Sequence, residues 1–81
     1  MKKNELKNLA ETFYENLYRK LYYRNTVTDE DVIVASEYAG CKITFTETGF
    51  KVFNNKAEFS VHYKAGMNAG ELRSRVFVFC K

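Results

Sequence analysis

The sequence predicts a small α+β domain, with an N-terminal long helix and a short second helix packed on one face of a four-stranded antiparallel meander sheet. Three observations predict it. Apolar residues recur at steps of three and four through residue 21. From Cys41 onward, apolar and polar residues alternate in short runs. Pieces bearing Gly or Asn then break those runs at 46–49, 54–56 and 65–70. With 81 residues, no Pro and four Gly, the chain reads as one domain over 1–81, rich in regular structure. A chain of this size buries roughly 60% of its unfolded surface, enough for a single thin core.

The first element is a helix over about 4–24. Leu6, Leu9, Ala10, Phe13, Leu17 and Leu21 share one face. Glu15 and Arg19 have the i,i+4 spacing of a favourable ion pair. Arg19, Lys20 and Arg24 suit the negative end of the helix dipole, and Asn25 suits a C-cap. The second helix follows Thr28 as N-cap, with Asp29, Glu30 and Asp31 in its first turn. Val32, Ala35, Ser36 and Ala39 share its inner face, and Gly40 supplies the stop. Against this, the β-branched run Val32–Val34 could open a strand.

The strands come next. Ile43 and Phe45 oppose Lys42, Thr44 and Thr46, and Gly49 takes the positive-φ position of the following turn. A short strand covers 50–53. In the third, Phe59, Val61 and Tyr63 oppose Glu58, Ser60, His62 and Lys64. A longer loop over 65–70 leads to a last strand over 71–81. There Leu72, Val76, Val78 and Cys80 share one face, and Arg73, Arg75, Phe77 and Phe79 the other. With the valines inward, two phenylalanines and two arginines join Lys42, Thr44, His62 and Lys64 on the outer sheet face. A twisted or bulged strand would instead turn Phe77 and Phe79 inward.

Most catalytic chemistry lacks its residues. His62 is the single histidine, and its spacing sends it to solvent. Nothing in the spacing places Cys41 or Cys80 beside it as a nucleophile. Cys41, His62 and Cys80 also lack the clustered spacing of a zinc site. Asp29–Asp31 lack the alternation and glycine of a calcium loop. Residues 66–70 carry glycines, but without the Lys-Ser/Thr of a phosphate loop. No pair of carboxylates stands out for acid–base work. The chain is therefore expected to be no enzyme, with no cofactor and no metal. The cysteines are expected reduced. No apolar stretch follows Lys2 and Lys3, and no apolar run could span a bilayer, so the expectation is a cytoplasmic protein without membrane contact.

Five aromatic rings fall within residues 11–25, more than the core stripe needs. Phe13 joins the core, and Tyr14 lies at its margin under the short helix. Tyr18, Tyr22 and Tyr23 remain as partner-binding candidates, together with Arg73, Arg75, Phe77 and Phe79 of the last strand. Tyr, Phe and Arg are the enriched anchors of protein interfaces. They are also what single-stranded nucleic acid stacks on. The 13 basic residues are diluted by 10 acids, for a net charge of +3, which favours a protein partner.

Residues with AT-rich codons (Phe, Tyr, Met, Ile, Asn, Lys) outnumber those with GC-rich ones, which indicates a low-G+C genome. The expected function is a non-enzymatic binding protein, monomer or homodimer. Its size and composition suit a phage or mobile-element accessory protein that docks on and inhibits a larger host protein, for example a defence nuclease, as anti-CRISPR proteins do. The alternative is a basic nucleic-acid-binding regulator that uses Lys42, His62, Lys64, Arg73 and Arg75 on the outer sheet face.

Overall fold

The computed structural model describes residues 3–22, 26–64 and 66–79, Phe79 by its backbone alone. It is an α+β fold of three helices and one three-stranded antiparallel sheet. The order is α1 (Lys3–Lys20), α2 (Asp29–Tyr38), β1 (Lys42–Phe45), β2 (Gly49–Phe53), β3 (Glu58–His62) and α3 (Ala69–Phe79).

Helix α1 forms as its periodicity dictates. Leu9, Ala10, Phe13 and Leu17 are buried along one face, Leu21 is buried just beyond the helix, and Leu6 packs at the margin. The helix stops at Lys20, earlier than expected, and Asn25 lies outside the described residues. Among the described residues α1 pairs Lys7 with Glu11 at 3.9 Å, and Glu15 does not reach Arg19.

Residues 29–38 are helix, not strand. The Thr28 hydroxyl accepts from the Asp31 amide, and the Asp31 carboxylate accepts from the Thr28 amide, so both ends of a capping box are closed. At the other end Gly40 takes φ 71°. Its N–H donates to the Glu37 carbonyl, and the Cys41 N–H donates to Ser36 at 3.0 Å, which is a Schellman stop. The caps outweigh the β-branched run that favoured a strand.

The sheet runs β1-β2-β3, with Ile43 opposite Val52, Val52 opposite Phe59, and Phe50 between Phe45 and Val61. The Asn54 side chain holds the β2–β3 turn by accepting from the amides of Lys56 and Ala57. Gly49 is needed for a different reason than expected. It is not one of the positive-φ glycines; it sits in β2, where a Cβ would run into the Val61 carbonyl oxygen. Phe13 from α1 meets Phe50 and Phe59 at 5.7 and 5.5 Å between centroids, and Phe50 meets Tyr63 at 5.4 Å.

The fourth strand does not form. Residues 69–79 are helix α3. The Asn68 side chain accepts from the Gly70 amide at 2.7 Å, and the Asn68 carbonyl accepts from Leu72, the first helical bond. Ala69, Leu72 and Val76 are buried together, and Val78 is turned out. The expected loop at 65–70 is thus partly a helix cap. The sheet has three strands because residues 69–79 form a helix that packs chiefly on α1, with Leu72 and Val76 buried, instead of pairing with the edge of β3.

α2 and α3 both pack on α1. α2 also touches β1 and α3 touches β3, at the two edges of the sheet. The α1–α2 and β3–α3 connections are tied to each other. Val27 donates to the Met67 carbonyl, and its own carbonyl accepts from Gly66 and from the buried Tyr63 hydroxyl. Burial pushes the Tyr63 phenol far above its ordinary range, and the Asp29 carboxylate adds to that.

Candidate partner-binding surface

The three tyrosines of α1 and its end form a ladder. Tyr14, Tyr18 and Tyr22 follow at intervals of four residues, and their rings stand 6.2 and 6.4 Å apart. Each step of four advances about 40° past a full turn, so the ladder winds outward. Tyr14 is half-buried, Tyr18 is 40% exposed and Tyr22 is 64% exposed. The covering helix is α3, not the short helix α2: Phe77 meets Tyr14 edge-on at 5.8 Å. One turn earlier, the Arg73 guanidinium lies 5.1 Å over the Tyr18 ring.

Arg73 is held by its neighbours and has no counter-ion among the described residues. Its Nε is sealed from solvent and has no acceptor. Among the described residues no carboxylate stands within ion-pair distance of it. Its ring contact fixes a positive charge beside an open groove, which Tyr14, Gly70, Phe77 and Val78 help to line. Phe77 is 47% exposed and Val78 67% exposed.

The expected site residues divide. Tyr18, Tyr22, Arg73 and Phe77 come together on the α1/α3 surface. Arg75 is exposed, but at 100° per residue it lies on the other flank of α3 from Arg73. Tyr23 is outside the described residues, and so is the side chain of Phe79. Arg73, Arg75 and Phe77 are therefore not on the outer sheet face, because they belong to a helix. Val78, Gly70 and Ser74 line the same groove and were not expected there. The "NAGE" stretch at 68–71, Asn followed three residues later by Glu, is the start signal that pointed to them.

Of the nucleic-acid set, Lys42 and His62 do share the outer sheet face, at its opposite ends, and Lys64 is exposed just past β3, but the two arginines do not join them. Lys42 stands in register with Phe53 and Glu58, at one end of the sheet, and His62 pairs with Gly49 at the other. Arg73 and Arg75 are in the helical layer. The outer sheet face mixes Lys42 and Lys51 with Glu58.

Cys41 is half-buried, its thiol donates to the Ala39 carbonyl, and burial pushes its pKa up, which makes it a poor nucleophile. Cys80 lies outside the described residues. Among the described residues no three His, Cys, Asp or Glu side chains gather as a metal site. No helix among them is long and apolar enough to cross a membrane.

Comparison of the chain with known proteins finds no matching family model, no matching curated protein and no matching solved structure.

Proposed function

We propose that the chain is a non-enzymatic binding protein that docks on a larger protein through the α1/α3 surface. The observation that carries this is the aromatic ladder of Tyr14, Tyr18 and Tyr22, joined by Phe77 and Arg73 and left open to solvent. Rings already packed against one another lose little rotamer freedom on docking. Tyrosine hydroxyls add directional bonds at the rim. Arg73, which has no carboxylate in ion-pair range among the described residues, suits a carboxylate on the partner. Small size and AT-rich coding fit an accessory protein of a phage or mobile element, and blocking a larger host protein, such as a defence nuclease, is one task such proteins perform.

The test is affinity capture from the native host lysate, with and without nuclease, using wild type, Tyr22→Ala and Lys42→Ala. The reading expects a protein that survives nuclease, is retained by Lys42→Ala and is lost with Tyr22→Ala. Tyr22→Ala should leave folding stability within about 0.5 kcal/mol of wild type, since the ring is exposed. Capture lost on nuclease treatment refutes the reading, and so does binding indifferent to Tyr22.

A further inference from the structure

A cleft of about 300 Å³ lies between α1 and α2, lined by Asn16, Arg19 and Lys20 of the first helix and Tyr38 of the second. Tyr38 is 76% exposed, and among the described residues its ring meets no other ring, unlike Tyr14, Tyr18, Tyr22 and Tyr63. Asn16 is half-buried, and among the described residues its side-chain amide makes no hydrogen bond. Arg19 and Lys20 are exposed and have no carboxylate in ion-pair range among the described residues. No acidic residue lines the cleft. Glu15, one turn before Arg19, does not reach it. Glu37 lies about 100° round α2 from Tyr38. Asp31 is buried and closes the Thr28 cap, and Glu30 lies about 12 Å along α2 from Tyr38. One flat ring face, one amide and two cations thus converge on a single cleft.

We propose that this cleft binds one nucleotide unit, with its base stacked on Tyr38, its phosphate between Arg19 and Lys20, and its base edge hydrogen-bonded to the Asn16 amide. Each lining group has its counterpart in that ligand. A ring with a free face stacks on a base of any kind. A guanidinium and an ammonium side by side suit a phosphate. An amide offers both a donor and an acceptor, as a base edge requires. A carboxylate or an inorganic anion would use the cations and leave the ring and the amide idle. The volume is at the small end of ligand pockets, so it suits one base and its phosphate. Two cations serve one phosphate, so a net charge of only +3 is no obstacle. A free nucleotide and a single strand present the same unit. The cleft lies on the flank of α1 toward α2, away from the ring contacts that Tyr14 and Tyr18 make with α3, so it does not depend on the partner reading.

The test is a titration of the ¹⁵N-labelled full chain with dAMP and with an oligodeoxyadenylate of about eight nucleotides, read by amide chemical shifts at low salt. Shifts should centre on residues 16–20 and 38. Tyr38→Ala should weaken binding at least about fivefold, and Tyr38→Phe, which keeps the ring, should retain it. Raising salt from about 50 to about 200 mM should weaken the oligomer about sevenfold, as two phosphate contacts require, and Arg19→Gln/Lys20→Gln should flatten that response. All three side chains are exposed, so thermal unfolding of these variants should match wild type. An oligomer that binds more tightly per nucleotide than dAMP identifies a strand as the ligand, and the reverse identifies the free nucleotide. Absence of shifts with both probes at about 10 mM overturns the proposal. So do shifts that Tyr38→Ala leaves untouched, or inorganic phosphate that binds as tightly as dAMP, which would mean an adventitious ion only.

Discussion

Val76 and Val78 separate a helix from a strand at the end of the chain more sharply than any other pair. In α3 Val76 is fully buried and Val78 is 67% exposed. In a strand the two would share one face and be buried alike. Val→Ala removes two methyl groups, worth about 0.8 kcal/mol each when buried, plus a cavity contribution, so Val76→Ala forfeits about 2–3 kcal/mol. At Val78 about a third of that area is covered, so the loss is about 0.5 kcal/mol. Alanine returns about 0.5 kcal/mol of helix propensity at either position, and that contribution cancels in the comparison. The expected gap between the two variants is about 2 kcal/mol, with Val78→Ala near neutral. For a domain of this size that is a difference in melting temperature of about 8–16 °C. Urea and thermal unfolding followed by far-ultraviolet circular dichroism measure it. Losses that agree within about 0.5 kcal/mol would refute the helix.

Asn68→Ala should cost about 1 kcal/mol by removing the acceptor for the Gly70 amide, and Asn68→Asp should restore most of it; an Asn in a plain loop would show neither effect. Gly49→Ala should cost at least about 2 kcal/mol in the same unfolding assay, because the added Cβ meets the Val61 backbone, which cannot step aside. At a position with free space the same change would stabilise by about 0.4–1 kcal/mol, so the sign alone decides. Cys41, measured in a Cys80→Ser background, should alkylate more slowly in the folded chain than in urea at mildly alkaline pH. A thiol pKa raised by burial leaves less thiolate at a given pH. Equal rates in the two states would count against that burial.

The sequence made α1, α2 and the first three strands legible because each carried two agreeing signals. The stripe on α1 had both apolar spacing and basic residues in its last turn. α2 had weak periodicity, but Thr28, Asp31 and Gly40 supplied both of its ends. The third strand alternated cleanly, and Phe59, Val61 and Tyr63 are buried as that alternation requires. Residues 71–79 carried conflicting signals. Val76, Phe77, Val78 and Phe79 favour strand by propensity. Leu72 and Val76, four apart, fall on one face under either period. The discriminating residue was Ser74. A strand would place it between Leu72 and Val76 on the buried face, where its hydroxyl would need an acceptor. In α3 it is exposed. Together with Asn68 and Glu71 it pointed to a helix, and β-propensity, which depends on an available edge and a face to pack on, gave way.

The candidate surface was legible in its residues and not in its assembly. Tyr18 and Tyr22 followed from the α1 periodicity. Arg73 and Phe77 were placed on a separate sheet face, and they reach the tyrosines only because the last element is a helix lying along α1. Spacing of four keeps Arg73 and Phe77 on one face in either structure, whereas spacing of two does so only in a strand, which is why Arg75 leaves the group. One consequence is that α3 links folding to binding. Leu72 and Val76 hold it on the core while Arg73 and Phe77 face outward from the adjacent positions. A change that loosens α3 therefore moves the arginine off the Tyr18 ring and weakens the surface without touching it. Loss of binding locates the surface only in a variant whose stability is unchanged, and Tyr22 and Val78, the most exposed apolar side chains there, are the positions that meet that condition.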